Sequence, residues 1–264
     1  MFTYKASTAL VTGASKGLGA AFAAALAARG MNLILVARST GELNALSSRL
    51  YADKYEVERT ILSVDLSDPD SPQKIADEVQ SRGIQVDLLV NNAGFGRGGE
   101  FLSHDLQEEK AEIEVNVQAL VALTYLFGRS MAARGSGGII NVASNASFQP
   151  IPYMATYAAT KAFVLHFSEA VGHELAGRGV QVMATCPGPT ATSFFEGTTT
   201  RLTAKDMDSS ESVVENTLKA FDRKCAVAYP GRLRVRVEIL LSRLFPRAVV
   251  VRLAGMAMAK IGLH

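Results

Sequence analysis

The feature that most constrains this chain is an alternation of two hydrophobic periods along its length. Short apolar runs occur at residues 9–11, 33–37, 61–64, 86–90, 139–142, 180–184 and 226–229. Longer stretches with helical spacing lie between them, at 18–29, 41–50, 74–81, 106–133 and 157–176. Buried strands separated by helices predict a parallel sheet covered on both faces, with right-handed crossovers. The chain has 264 residues and no repeat or Pro/Ser linker. It therefore reads as one doubly wound α/β domain of about seven strands. Residues 1–230 form its body, and residues 231–264 read as a basic helical extension of the same domain.

Composition removes several classes of function. Hydrophobic residues at 48% and charged residues at 20% describe a globular protein rather than a disordered one. Lys and Arg number 27 against 25 Asp and Glu, a net +2 too balanced to suggest nucleic-acid binding. Two cysteines, Cys186 and Cys225, make no disulfide framework, and His104, His166, His173 and His264 show no metal-ligand spacing, so no metal is expected. The uncharged apolar stretch at 115–128 contains Asn116, Gln118 and Thr124 and falls short of the roughly 20 apolar residues of a membrane span. The N-terminus lacks a signal peptide's apolar run. The expectation is a cytoplasmic protein with no transmembrane segment.

In a doubly wound sheet, ligands bind beyond the carboxyl ends of the strands, so those ends carry the functional reading. Thr12-Gly13-Ala14-Ser15-Lys16-Gly17-Leu18-Gly19 follows the first strand and opens a helix. Glycines let a backbone turn tightly against a pyrophosphate, and a helix N-terminus offers it N–H donors. The spacing G-x-x-x-G-x-G, with Ser15, Lys16 and Leu18 between the glycines, favours a dinucleotide. After the second strand there is no acid between Asn32 and Gly41, where an NAD site usually carries one. Arg38 and Ser39 stand there instead. Arg38 and Lys16 together suit the 2′-phosphate of NADP(H), although both also read as solvated surface cations. Asp65, followed by Leu66, suits an adenine amino group or a turn cap, with Asp68 the rival cap. Asn91-Asn92-Ala93-Gly94 ends the fourth strand. It either brings backbone close to the cofactor at Asn92, Ala93 and Gly94 or is an ordinary strand exit.

Tyr157 and Lys161 are four residues apart on an expected helix and share a face. A free phenol has a pKa near ~10, and a close lysine is expected to lower it by ~1–3 units. Ser144 lies at the end of the fifth apolar run, placed to hydrogen-bond a substrate oxygen as charge develops on it. Ser147 is the alternative, one step further into the loop. Asn116 interrupts an apolar stretch between Val115 and Val117. It is either an internally satisfied amide or the holder of a water linking Lys161 to solvent.

Together these residues resemble the short-chain dehydrogenase/reductase family, in its compact single-domain branch with a Rossmann-type sheet. The resemblance covers roughly residues 5–230. It implies that residues 12–19 are the cofactor turn, that residues 91–94 are the Asn-Asn-Ala-Gly motif, and that Asn116, Ser144, Tyr157 and Lys161 form a catalytic tetrad. It further implies that Cys186-Pro187-Gly188-Pro189-Thr190-Ala191-Thr192 is the Pro-Gly segment that holds the nicotinamide carboxamide, through Pro187, Gly188, Thr190 and Thr192. Thr190 departs from the family's frequent Val, and Ala-Ser-Asn at Ser144 departs from its commoner Ser-Ser. The implied reaction is hydride transfer between NADP(H) and a carbonyl or secondary alcohol. Tyr157 is the general acid/base, Lys161 binds the nicotinamide ribose, Ser144 polarises the carbonyl, and Asn116 supports a proton relay. Tyr157 and Lys161 thus also touch the cofactor. The family often forms dimers or tetramers through helices equivalent to 106–133 and 157–176, which implies a homo-oligomer here.

Two regions bear on specificity. Phe95, Phe148, Pro150, Ile151, Pro152, Met154, Phe194 and Phe195 suit an apolar ketone or aldehyde, or simply pack a lid. Residues 198–207 are polar and lid-like, and Asp208 with Glu211 resembles a capping box. Residues 231–264 hold seven Lys/Arg and one Glu. If 231–245 is helical, Arg232, Arg236 and Arg243 cluster beside an aliphatic stripe. That pattern fits a helix pair packed on the domain or on a second subunit better than peripheral membrane contact. A catalytically idle NADP-binding sensor on the same fold is the competing reading. An epimerase would need more chain after Gly188 than is present.

Overall fold

The structure, a computed structural model, describes residues 2–53, 55–192, 200, 201 and 203–263. Seven strands form one parallel sheet: β1 (Thr8–Thr12), β2 (Asn32–Ala37), β3 (Arg59–Ser63), β4 (Leu88–Asn91), β5 (Gly137–Val142), β6 (Val180–Thr185) and β7 (Val227–Ala228). Their order is β3-β2-β1-β4-β5-β6-β7, so the winding reverses between β1 and β4. A crevice forms at the carboxyl ends there because the flanking loops diverge.

Period-two alternation divides each strand between two cores. On one face Ala9, Val11, Leu33 and Leu35 meet Phe22 and Leu26 of α1 (Gly17–Ala27), Leu43 and Leu46 of α2 (Thr40–Ala52), and Leu218 and Phe221 of α7 (Ser210–Asp222). On the other, Leu10, Ile34, Val36 and Leu89 meet Ile75 of α3 (Ser71–Ser81) and Leu123 and Phe127 of α5 (Ala119–Arg134). Phe22 and Phe221 are fully buried, and truncating either to alanine costs about 3–5 kcal/mol. α6 (Ala155–Ala176) packs beside β5 and β6 through Val164 and Leu165.

A buried polar ladder fixes the sheet beneath the crevice. Asn91 Nδ2 donates to Asn141 Oδ1 at 2.9 Å and Thr124 Oγ1 at 3.1 Å, and Asn141 Nδ2 donates to Ser168 Oγ at 2.9 Å. The side chains of β4, β5, α5 and α6 are thereby joined where apolar packing alone would permit sliding.

Three local expectations change. The helix expected over 106–133 is interrupted: α4 (Leu106–Ile113) leads into a π turn at Glu114–Gln118 before α5 begins. The wider turn inserts one residue and re-aims the Asn116 side chain. The last apolar run pairs over only two residues, β7. The cap of α7 is Ser209, whose Oγ accepts from the Ser212 N–H at 3.2 Å. Asp208 is drawn away by Arg232, whose Nε donates to it at 2.9 Å. The C-terminal segment folds as two helices, α8 (Leu233–Leu244) and α9 (Arg247–Lys260), divided at Pro246. Among the described residues, no helix is long and apolar enough to cross a membrane.

Candidate active site

One cleft of about 1580 Å³ runs along the carboxyl ends of the strands. Gly13, Ser15, Lys16, Gly17, Leu18, Arg38, Ser39, Asp65, Leu66, Asn92, Ala93 and Gly94 line one end. Ser144, Tyr157, Lys161, Pro187, Gly188, Thr190 and Thr192 line it further along. Gly19 and Asn116 lie behind the wall and shape it.

The glycine turn is built by close approach. Gly13 takes φ +61° and Gly17 φ +56°, the left-handed region that suits glycine. A Cβ at Gly19 would stand 2.0 Å from the Gly13 carbonyl oxygen, closer than any atom can sit. Asn92 Nδ2 donates to the carbonyl of Thr12 at 2.9 Å and of Gly13 at 3.2 Å. Thr12 Oγ1 accepts from the Asn92 and Ala93 N–H groups, both at 3.0 Å. The Asn-Asn-Ala-Gly strand end is therefore a brace for the turn. α1 starts with no side-chain cap and no acid in its first turn, so its first N–H groups face the cleft as an anion site.

At the rim, neither Lys16 nor Arg38 is ion-paired with a carboxylate in any described contact. Ser39 caps α2, its Oγ accepting from the Glu42 N–H at 3.2 Å. Asp65 makes the turn expected of it, its Oδ1 accepting from the N–H and hydroxyl of Ser67. Asp68 makes a turn of its own, its Oδ1 accepting from the Asp70 N–H at 3.0 Å while its Oδ2 pairs with Lys74 at 2.6 Å.

Deeper in, the Ser147 hydroxyl donates to the Lys161 carbonyl at 2.8 Å and accepts from the Ser144 N–H at 3.3 Å. Ser147 thus fastens β5 to α6, leaving Ser144 as the hydroxyl that faces the cleft. Asn116 is almost fully buried. Its Oδ1 accepts from the Phe95 N–H at 3.1 Å, and its Nδ2 donates to the Phe95 carbonyl at 2.8 Å and Thr160 Oγ1 at 3.1 Å. A methyl at Gly94 would sit 2.8 Å from Asn116 Oδ1 and 3.3 Å from Lys161 Nζ, so all three crowd one point.

Lys161 Nζ donates to the Val142 carbonyl at 2.8 Å and lies 5.8 Å from the centre of the Tyr157 ring. The expected lowering of the tyrosine pKa is not what the surroundings produce. Burial pushes the Tyr157 phenol up to about 12, against a hydrogen bond from Ser144 that lowers it and with the Glu112 carboxylate adding to the rise. Burial brings Lys161 down to about 8, opposed by Glu112.

Glu112 was not visible as a site residue from sequence. Its side chain is 1% exposed, and neither oxygen has a hydrogen-bond partner among the described residues. Burial and repulsion from Glu109 push it up to about 7. The Arg97 backbone N–H lies near enough to favour the anion, although outside hydrogen-bond geometry, and Lys161 also favours it. Burial raises Glu109 too, but hydrogen bonds from Thr156 and His104 outweigh it and hold that acid low. His104 Nδ1 lies 2.6 Å from Glu109 Oε1. The available signal was spacing: Glu112 precedes Asn116 by four residues, as Tyr157 precedes Lys161.

Of the apolar candidates, Phe95, Ile151 and Met154 line the cleft. Phe148 stacks obliquely on Tyr229, their centroids 5.7 Å apart, and Pro152 faces Gly255. Phe194 and Phe195 fall outside the described residues. The remaining wall comes from α8, α9 and the link between them, through Val235, Leu241, Phe245, Val250, Leu253 and Met258, with Arg234, Glu238 and Ser242 among them. The extension therefore packs over the cleft.

The short chain dehydrogenase family model matches residues 7–202. The chain is 35% identical over 197 residues to a 3-oxoacyl-[acyl-carrier-protein] reductase of Synechocystis, covering 74% of this chain and 79% of the relative. It is 35% identical over 182 residues to a very-long-chain 3-oxoacyl-CoA reductase of Podospora anserina, covering 67% of this chain but 53% of that longer protein. A short-chain dehydrogenase from Sphingobium yanoikuyae, solved in complex with NADPH, superposes with TM-score 0.81 at 32% identity, over 90% of this chain and 93% of the other. The chain belongs to the short-chain dehydrogenase/reductase family. It is an oxidoreductase of the kind that works with a nicotinamide cofactor.

Proposed function

We propose that the chain is an NADPH-dependent reductase of a bulky, largely apolar ketone, with Tyr157 as proton donor. One observation carries this: Ser144, Tyr157 and Lys161 stand in a single cleft between the glycine turn and a wall of aliphatic side chains. Relatives named for 3-oxoacyl thioesters support a ketone flanked by an acyl chain as the substrate class.

The turn fits a dinucleotide because Gly13, Gly17 and Gly19 leave no side chain between backbone and pyrophosphate, and the α1 N-terminus supplies donors. Lys16 and Arg38, unpaired with carboxylates among the described residues, suit the 2′-phosphate, and Ser39 follows Arg38 at the same end of the cleft. Asp65 and Leu66 border the adenine end, Asn92, Ala93 and Gly94 the middle, and Pro187, Gly188, Thr190 and Thr192 the nicotinamide end. When bound, the cofactor supplies a hydride to the carbonyl carbon.

The chain's own residues manage the proton. Ser144 Oγ orients the substrate oxygen and hydrogen-bonds it as negative charge grows. Tyr157 Oη gives its proton to that oxygen. A phenol raised to about 12 is fully protonated at neutral pH, and an alkoxide is far more basic than a phenolate, so this transfer runs downhill. Lys161 Nζ supports the phenolate that remains, and Asn116 holds the Phe95 loop and Thr160 in place around it. The aliphatic wall excludes water and strengthens these interactions.

Residues 231–264 act as part of the same domain, closing the cleft. Exposed Tyr125 and Phe163 on α5 and α6 support a homo-oligomer through those helices, which analytical ultracentrifugation tests.

The test is NADPH oxidation with a panel of apolar ketones and 3-oxoacyl thioesters. Turnover is expected with NADPH, weaker with NADH, and reduced about 10²–10⁴-fold by Tyr157→Phe. Tight NADPH binding with no turnover across the panel would favour the sensor reading.

A further inference from the structure

We propose that the outward faces of α8 and α9 seat this protein on an anionic lipid surface. The inward faces are fixed to the domain. Val235, Ile239, Val250 and Ala254 are buried. Arg232 is tied to Asp208 and to the carbonyls of Lys205 and Met207, and Arg236 donates to the Tyr229 carbonyl at 2.6 Å. The helix pair is therefore anchored, and what it turns outward is a built surface.

That surface is apolar. On α8, Leu233, Val237, Leu240 and Leu244 fall within an arc of ~60° at 100° per residue. All four are exposed, Leu233 by 73% and Leu244 by 71%. They lie opposite the buried Val235 and Ile239. On α9, Val249 and Met256 share an exposed face with Arg252 and Lys260. Seventeen large hydrophobic side chains are exposed among the described residues; ten of them lie between Leu233 and Met256, and seven of those ten do not line the cleft. A free-standing surface rarely concentrates apolar groups this way.

Charge selects the occupant. Residues 231–264 carry seven Lys/Arg and one Glu, a net +6, against −4 for the rest of the chain (20 Lys/Arg and 24 Asp/Glu). Arg232 and Arg236 are held inward and Arg234 pairs with Glu238 at 3.5 Å, so the outward face draws its charge from Arg252 and Lys260. A symmetric dimer through this patch would set arginines against arginines. A bilayer with anionic headgroups satisfies both features at once, burying the aliphatic stripe at the interface while the flanking cations meet phosphates. The seating does not depend on the proposed reaction, although it would place the mouth of an apolar cleft beside a reservoir of apolar compounds.

The test is co-sedimentation of the full chain with phosphatidylcholine vesicles, with and without phosphatidylglycerol, at low and high salt. Binding is expected to require phosphatidylglycerol and to weaken with salt. Leu240→Glu with Leu244→Glu, and separately Arg252→Glu with Lys260→Glu, should each lower the partition coefficient at least about tenfold. None of these four side chains lines the cleft, so NADPH binding and melting temperature should stay at wild-type values and show that the variants fold. Absence of binding to anionic vesicles, or equal binding by wild type and variants, overturns the proposal. So does a wild-type dimer that the leucine variant turns into a monomer without any vesicle binding, which would assign the patch to a second copy of the chain.

Discussion

The two ends of the cleft are built on opposite principles. At the glycine turn the surface is backbone, held so closely that a methyl on Gly19 has no space beside the Gly13 carbonyl. At the far end the surface is side chain, donated by two helices whose outer faces remain exposed. Backbone recognition tolerates no substitution and suits a ligand that never changes. A wall of Val, Leu, Phe and Met can be repacked residue by residue, so substrate range can change while the cofactor stays the same.

The sharpest way to break this contrast is Gly19→Ala. NADPH affinity, read by fluorescence titration, should fall at least about 100-fold, because the added carbon displaces the turn proposed to hold the phosphates. Gly41→Ala is the control: nothing lies within 4 Å of its added carbon, and an alanine in α2 should stabilise by up to about 1 kcal/mol. Equal effects would mean that the turn is looser than its geometry.

Next in size is Arg38→Asp. Charge-assisted hydrogen bonds are worth about 1.5–3 kcal/mol, so kcat/KM for NADPH relative to NADH should fall roughly 10–100-fold. Glu42 lines the same end of the cleft, and an unchanged ratio would assign the ribose to that acid instead. Phe245→Ala tests the other end. It should raise KM for a long-chain ketone about tenfold and leave NADPH affinity unaltered.

The smallest effect on rate is expected from Glu112→Gln, and it should appear in the pH profile. The carboxylate favours the Lys161 ammonium and disfavours the Tyr157 phenolate, so it raises both pKa values. Removing it lowers both, and the alkaline limb of the reduction, set near 8 by Lys161, should move to lower pH. A merely structural role would leave that limb in place. Stability gives a second readout. The folded Glu112 pKa is raised from 4.5 to about 7, so its favourable contribution holds below the unfolded pKa and is lost as pH rises through about 7. The glutamine variant should therefore gain on wild type between pH 5 and 8, by up to about 3 kcal/mol, as followed by thermal melting.

The same division explains what the sequence made legible. The first six apolar runs, the glycine turn and the Tyr157–Lys161 pair are local signals, and each lies in the element or cleft where its spacing places it. The π turn at Glu114–Gln118 is not local. It depends on the Asn116 amide meeting the backbone of Phe95, twenty-one residues away. Asp208 and Ser209 are equally good caps by residue type, and only the distant Arg232 separates them. The Tyr157 shift went the other way because neighbouring charges can be counted along a helix, whereas burial is set by every element around the ring. Period alone gave α8 its stripe but not the direction in which the stripe would point.

The segment between the two ends joins them. A methyl at Gly188 would stand 2.9 Å from a Val235 methyl of α8, and one at Gly17 would stand 3.1 Å from Thr192, four residues further along the same loop. The loop is thus wedged between the aliphatic wall and the phosphate turn, and neither can shift without pressing on it. If occupancy at one end alters affinity at the other, the alteration is reciprocal. The factor by which a bound ketone tightens or loosens the nucleotide must equal the factor by which the nucleotide does the same to the ketone.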